Sequence, residues 1–172
     1  MTVAVNWSEG SVGSGALNKG HTDNSPAANL DASHDDNDPC YKTEQTCSPT
    51  VWDRQRRTHV LSNGEVIWDF GGNVAEWVYD DYGSLGVNPS ISVGYHDCNT
   101  LSENNRKLFC PSDPTWDRTY GIGQVFGGSG GALYRGGDRY WGGVLAGIFR
   151  ASLDGPPTGT ADTMGFRCVW KP

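Results

Sequence analysis

The chain has 172 residues, 36% of them hydrophobic and 11% aromatic, which is enough apolar material for one folded domain. This composition excludes a disordered chain, and a formal charge of -7 argues against nucleic acid or an anionic membrane as the main partner. No apolar run reaches the roughly 18 to 20 residues of a spanning helix, and the first residues lack the pattern of a signal peptide. We therefore expect a soluble chain that does not insert into a membrane.

The frequent glycines and prolines, 24 and 9 of them, predict short strands and long loops with little helix. Residues 1–30 begin with a short apolar alternation, which predicts an opening strand followed by a loop. The acidic residues at 31–38 lack the glycine and distal glutamate of a calcium-binding loop, which favours a solvated acidic loop.

None of the five cysteines forms the closely spaced pair of a zinc or redox site. Cys40 with Cys47 and Cys98 with Cys110 each flank a short polar loop, which fits two local disulfides in an oxidising compartment and equally fits free thiols in a reducing one. Cys168 is left over, and its apolar neighbours predict a buried free thiol.

A β-hairpin is predicted where two strand-like runs flank Asn63-Gly64, the pair typical of a two-residue type I′ turn. The next segment, DFGGNVAEW, predicts a tight turn at its paired glycines, with Trp68 and Trp77 in the core. Residues 80–120 are polar and rich in turn residues, so we expect loop there. The run GFRCVW near the end predicts a last buried strand.

Three motifs occur in a characteristic order: GNVAEW at 72–77, RGG at 135–137 and GFRCV at 165–169. Together they resemble the formylglycine-generating-enzyme type of C-type lectin domain over most of residues 50–170. The resemblance implies a single α+β domain over 1–172, with a small, twisted antiparallel sheet, about two short helices and many ordered loops.

Residues 135–169 resemble the variable segment of proteins diversified by retroelements, in which mutagenesis of template adenines turns Asn codons into other codons. Such codons cannot become Glu, Gln, Lys, Met or Trp. Residues 136–163 contain none of the first four, and their one tryptophan, Trp141, is assigned to the fixed frame of the segment. The resemblance implies a ligand-binding surface that is mostly exposed, lies on one side and is interleaved with buried Phe149 and Phe166. Its predicted members are Asp138, Arg139, Tyr140, Trp141, Val144, Leu145, Ser152, Asp154, Gly155, Gly159, Ala161, Asp162 and Thr163.

Catalysis is not expected. Enzymes of the resembled class need reactive cysteines just after RGG, and no cysteine lies between Cys110 and Cys168. The related iron-dependent sulfoxide synthases need clustered histidines, whereas the histidines here are scattered. We therefore predict no catalytic residue and no catalytic cofactor. The four scattered histidines are predicted to be surface or hydrogen-bonding residues: His21, His34, His59 and His96.

The resemblance also implies a structural Ca²⁺ at the DFGGNVAEW turn. Its ligands would be the carboxylates of Asp69 and Glu76 and the carbonyls of Gly72 and Val74, because calcium prefers oxygen ligands. The alternative is an empty turn in which Glu76 accepts backbone N–H groups.

The function implied is that of a non-catalytic binding protein, prokaryotic or viral, that presents a hypervariable surface to a protein or glycan ligand on a cell surface. Nucleic acid is not an expected partner. A cell-surface, secreted or virion location is expected rather than a cytoplasmic one. Two alternatives stay open: an enzyme or degenerate enzyme of the formylglycine-generating or sulfoxide-synthase class, and a module of a surface lipoprotein without hypervariability.

Overall fold

The computed structural model describes residues 17–47, 55–78, 90–112, 115–128, 132–142, 145–155 and 158–167. These residues form a mixed α/β structure with one α-helix, two 3-10 turns and two sheets, in keeping with the α+β class predicted. The strands and the helix are β1 (Thr58–Val60), β2 (Val66–Trp68), β3 (Ala75–Trp77), β4 (Gly94–His96), α1 (Glu103–Phe109), β5 (Val125–Gly127), β6 (Ala132–Arg135), β7 (Ala151–Gly155) and β8 (Met164–Phe166). No helix in the described ranges is long and apolar enough to cross a membrane.

The larger sheet is mixed, which corrects the expectation of an antiparallel sheet. Its six strands follow the order β4-β5-β7-β6-β3-β8. Strand β7 lies between β6 and β5. It runs antiparallel to β6 and parallel to β5. At the far end β8 pairs in parallel with β3, and this pairing brings the GFR motif beside GNVAEW. The topology therefore gathers two of the three sequence motifs at one end of the sheet.

The smaller sheet is the predicted hairpin of β1 and β2, in which His59 pairs with Ile67. Its turn differs from the prediction. The Gly64 N–H donates to the Leu61 carbonyl at 2.9 Å, and the Leu61 N–H donates to the Glu65 carbonyl at 2.8 Å, which leaves a three-residue loop. Only Gly64 has a positive φ there, at 86°, whereas a type I′ turn also needs one at Asn63. The hairpin is confirmed, and the two-residue turn is wrong.

The prediction of loop for residues 80–120 is wrong where that range is described, because β4, α1 and two 3-10 turns lie within it. The helix begins after Ser102, whose side chain accepts the Asn105 N–H. Disulfides join Cys98 to Cys110 across this helix and Cys40 to Cys47 in the acidic region, so the oxidised alternative holds for both pairs. Cys168 and the predicted opening strand, within residues 1–16, lie outside the described residues.

The core lies mainly on one face of the larger sheet. Val125, Leu133 and Leu153 pack there with Phe109 of α1. A second cluster surrounds Cys98 and is formed by Leu17, Trp116, Ile122 and Ile148, with the half-buried Phe149 against it. This packing covers the same side of β5, β6 and β7, so their alternate residues face the other way.

Four aromatic residues predicted to be buried are placed differently. Trp68, Trp77 and Phe149 are half-buried rather than core residues. Phe166 is 77% exposed, because it belongs to the last strand of the sheet order and pairs with Trp77, on the face opposite Leu133. The final strand is therefore present, but the described part of it is not buried.

Candidate functional site

The GNVAEW and GFR motifs meet in an ion pair. Nη2 of Arg167 lies 2.7 Å from Oε1 of Glu76, and Nε of Arg167 lies 3.1 Å from both oxygens of the Glu76 carboxylate. The same Nη2 donates to the Trp68 carbonyl at 2.8 Å. Strands β3 and β8 hold the two side chains near each other, because Glu76 pairs with Gly165 in the parallel register. The motif carboxylate is thus held by an arginine, whereas the alternative prediction for an empty turn gave it backbone N–H donors.

Asp69 is also held by an arginine. The fully buried Arg57 side chain donates from Nε to Oδ1 at 2.7 Å and from Nη2 to Oδ2 at 2.6 Å. Arg57 also donates to the carbonyls of Tyr41 and Asp31, so it connects the turn to the acidic region. The Asn73 amide donates to Asp69 Oδ2 at 3.2 Å. This network satisfies a buried cation with a carboxylate and two carbonyls.

The four predicted calcium ligands do not form one oxygen cluster ready for a cation. Each carboxylate forms a forked interaction with a different arginine, and the Gly72 carbonyl accepts the Val74 N–H at 3.0 Å. Among the residues that the structure describes, no three His, Cys, Asp or Glu side chains group as metal ligands would. Two guanidinium groups supply the positive charge in the places where a Ca²⁺ was expected to supply it, so the donor set in this arrangement does not fit the metal.

The RGG motif fixes the turn that follows β6. Arg135 donates to the Leu108 carbonyl of α1 at 2.8 Å and lies over the Phe109 ring. Gly136 has a φ of 75°, a conformation that side chains rarely adopt. A Cβ on Gly137 would lie 2.8 Å from the Gly71 carbonyl oxygen, which accepts the Gly137 N–H. The motif therefore packs two tight turns against each other, which is a structural role.

The predicted ligand-binding surface divides into exposed and buried members. The exposed ones are Tyr140, Trp141, Asp154, Ala161 and Asp162. The half-buried ones are Leu145, Gly155 and Gly159. The buried ones are Asp138, Arg139, Ser152 and Thr163, and Val144 lies outside the described residues. Fewer than half of the described members are fully exposed, so the expectation that most are exposed is wrong for the segment taken whole.

The buried members hold the exposed ones in place. Asp138 Oδ1 accepts the N–H groups of Tyr140 at 2.9 Å and Trp141 at 3.2 Å, and so fixes the turn that carries both rings. Arg139 donates to Asn29 Oδ1 at 2.9 Å and to Asp162 Oδ2 at 2.6 Å, and its guanidinium lies 4.0 Å from the Tyr140 ring centroid. Each is buried because its polar atoms organise the loop rather than face solvent.

Ser152 and Thr163 are buried in the sheet region. The Ser152 hydroxyl donates to Asp154 Oδ1. The Thr163 carbonyl accepts the Ala75 N–H at 2.9 Å, which extends the pairing of β3 and β8 by one bond. Backbone pairing of this kind places a residue inside the sheet whatever its side chain.

A row of six directly paired residues crosses the larger sheet on the face opposite the core: Tyr95, Phe126, Ser152, Tyr134, Trp77 and Phe166. Directly paired residues point to the same face. At one end the Tyr95 and Phe126 rings lie 4.8 Å apart, and Trp141 approaches Tyr95 at 6.3 Å. Tyr95 and Trp141 are each 41% exposed. We call the group of Tyr95, Phe126, Tyr134, Trp141 and Asp154 the aromatic face.

Two carboxylates and one buried cation set the electrostatics of the aromatic face. Burial raises the pKa of the Tyr95 hydroxyl, and the charges of Asp154 and Asp138 act in the same direction while Arg150 opposes them. Burial also raises the pKa of Asp138, against the N–H groups that it accepts and the charge of Arg150. Arg150 is 3% exposed and lies 5.2 Å from the Tyr134 ring centroid and 5.8 Å from that of Trp141.

Sequence reasoning missed Tyr95, Phe126, Tyr134 and Arg150 as members or supports of this site. Tyr95 lies in a stretch interpreted as loop, and its nearness to Trp141 depends on a strand order that local patterns do not contain. Tyr134 directly precedes RGG, so its position next to a motif was the one available signal.

Four cysteines and two buried histidines of the described residues have structural contacts. Four cysteines form disulfides, and the Cys98–Cys110 bridge lies beside α1 rather than after RGG. His21 and His59 are buried and contact the carbonyls of Ala28 and Asn18. These contacts agree with the prediction of hydrogen-bonding histidines.

A family profile described as the sulfatase-modifying factor enzyme 1-like domain matches residues 16–172. The chain belongs to this family, which is part of the C-type lectin-like superfamily and contains enzymes as well as non-catalytic and degenerate members. Comparisons with curated proteins and with solved structures gave no significant match.

Proposed function

We propose that this protein is a non-catalytic binding protein, built on a C-type lectin fold of the formylglycine-generating subtype, whose exposed residues between 138 and 163 are diversified by a retroelement. The ligand is a protein or a glycan on a cell surface. The two disulfides support a cell-surface, secreted or virion location, because such bonds persist in oxidising compartments.

The proposal rests on one observation: residues 135–167 consist of a bonded frame and of exposed side chains between the frame residues. The motif residues and the buried arginines are bonded within the fold. Arg135 donates to α1, Gly137 to the turn at Gly71, and Arg167 to Glu76 of β3. Arg150 donates to the Gly136 carbonyl, and Arg139 donates to Asn29 and Asp162. The residues between them include exposed Tyr140, Trp141 and Asp154. A fixed frame with exposed aromatic and acidic side chains suits a binding surface, since Tyr and Trp give large contact area at low entropic cost.

Because several predicted members of the surface are buried, fewer positions can vary than the sequence suggested. Tyr140, Asp154 and Ala161 can change without loss of a core contact, whereas Asp138 and Ser152 organise their neighbours and Asp162 balances the charge of buried Arg139. We therefore assign the variable role to the remaining exposed and half-buried members. Arg139, Asp162 and Thr163 belong with the frame.

Sequencing of the DNA around the coding region, in many cells or virions of one population, tests the proposal. A retroelement predicts a reverse transcriptase gene and a nearby adenine-rich near-copy of the codons for 135–167. Substitutions between individuals should fall at template adenines and concentrate on the codons for Tyr140, Asp154 and Ala161. A locus without a template copy and with uniform codons favours the non-diversified lipoprotein module instead.

A further inference from the structure

We propose that the aromatic face binds the cationic side chain, an ammonium or a guanidinium, of a basic segment in a partner protein. This inference rests on the proposed function, because it names the ligand chemistry of the same surface.

The rings supply the first part of the site. Tyr95 and Trp141 come from different parts of the chain, approach to 6.3 Å and are inclined by 53°, so they form an open angle at the surface. Phe126 packs against Tyr95 at 4.8 Å and supports it from the neighbouring strand. A cation within about 6 Å of such ring centroids is attracted by their quadrupoles.

Asp154 supplies the second part. Its side chain is exposed, and its Oδ1 accepts from the hydroxyls of Ser152 and Tyr134. Its Oδ2 has no hydrogen-bond donor among the described residues. Oδ1 is therefore fixed in position by two neighbours, while the second oxygen is left for a donor from outside.

The charge balance of the neighbourhood favours a cationic ligand. The charge of Arg139 is matched by Asp162, which it contacts at 2.6 Å. Arg150 acts electrostatically on Asp138, and the two charges balance each other. Asp154 then remains as the unmatched charge, on a chain whose formal charge is -7. An anionic ligand would meet repulsion here, whereas a basic segment would meet attraction.

The structure already contains this kind of contact. The Arg150 guanidinium lies over the Tyr134 and Trp141 rings, and the Arg139 guanidinium lies over Tyr140. Both arginines are buried and bonded within the frame, so they pack behind the surface. A glycan would also stack on exposed rings, but stacking alone gives no role to the unmatched carboxylate, so the basic segment is the occupant that accounts for rings and charge together.

The test uses NMR titration of the full chain with capped peptides of sequence Gly-Arg-Gly-Arg-Gly, the lysine counterpart and the glutamate counterpart, and with maltose as a neutral sugar. We expect the arginine and lysine peptides to shift the Tyr95 and Trp141 signals saturably, with affinity that falls as NaCl is raised. The Asp154→Asn variant should weaken binding about fivefold, the size expected for loss of one exposed ion pair. Asp35→Asn, an exposed carboxylate of the acidic loop, changes the net charge equally and should leave affinity unchanged.

Any other outcome of the titration overturns the inference. Absence of saturable shifts, equal binding of the glutamate peptide, or equal weakening by Asp35→Asn contradicts a cation site. Saturable binding of maltose in place of the basic peptides would indicate a glycan surface, and the proposed function would then stand while this inference falls. A locus without a template copy would remove the retroelement from the proposed function and leave the peptide result unaffected.

Discussion

The Glu76 carboxylate accepts hydrogen bonds from Nε and Nη2 of Arg167, a residue 91 positions later in the chain. The pair joins β3 to the residue after β8, so it fixes the parallel pairing at the end of the sheet. It also explains why GNVAEW and GFR occur together in one sequence, since each supplies one partner of a single contact.

Replacing Glu76 by Gln should lower the free energy of unfolding by about 1 to 3 kcal/mol, because a charge-assisted forked contact is lost and Arg167 keeps no counter-charge there. Urea unfolding followed by far-UV circular dichroism measures the change. Glu103→Gln is the control, since Glu103 is 69% exposed and solvent screens its pair with Lys107, so its loss should change stability much less. Equal losses in both variants would contradict the structural role of the pair.

Calcium should leave the thermal stability unchanged, because Arg57 and Arg167 already engage the carboxylates of Asp69 and Glu76. Thermal melts with calcium chloride and with a chelator are expected to superimpose. A functional site with calcium at about 100 times Kd would instead add roughly 2.7 kcal/mol. Such a rise, lost in the Glu76→Gln variant, would show that the predicted calcium ligands do bind the metal and would refute this account.

Stability should fall as pH falls from about 6.5 toward 4. Burial lowers the pKa of His59 from 6.5 to about 4, with the charges of Arg56 and Arg167 adding to the effect. The unfolded chain therefore takes up a proton below about 6.5, while the folded chain does so only near 4. Because the unfolded state binds more protons in this window, about 3 kcal/mol of stability is lost across it.

Urea unfolding at several pH values between 4 and 7 measures this slope. The His59→Gln variant can still donate to the Asn18 carbonyl and does not titrate, so its stability should vary less in the same window. An identical slope in both proteins would exclude His59 as the origin.

Substitution within the predicted variable segment should separate the frame from the surface. Ala161→Ser should change stability by less than about 0.5 kcal/mol, since Ala161 is exposed. Arg139→Ala should cost about 1 to 3 kcal/mol, because Asn29 and Asp162 lose their common donor. Differential scanning fluorimetry of the two variants checks this, and comparable losses would contradict the division into frame and surface.

The motifs and the hairpin could be predicted because their signals are local. Asn63-Gly64 predicted the hairpin, and the motifs GNVAEW, RGG and GFR indicated the family to which the chain belongs. The exact turn at Gly64 could not be predicted, because the choice between two and three loop residues depends on which φ the packed strands permit.

The exposure of side chains and their hydrogen-bond partners could not be predicted from the sequence, because both depend on the strand order. Phe166 has the apolar character of a core residue, yet it lies on the last strand of the sheet order and is exposed. Asp138 looks like a surface residue, yet it is buried by the turn that it stabilises. Asp69 could coordinate a metal or pair with an arginine, and only the position of Arg57 decides between them.

A display experiment tests the central claim, that a fixed frame presents an interchangeable binding surface. One library randomises Tyr140, Trp141, Leu145, Asp154 and Ala161, and a control library randomises five exposed positions elsewhere: Ala27, Ala32, Asn99, Asn104 and Ser112. Selection against two unrelated proteins should give specific binders from the first library, with melting temperatures close to that of the parent, and few from the second. Equal yields from both libraries, or binders from the first that no longer fold, would contradict the claim.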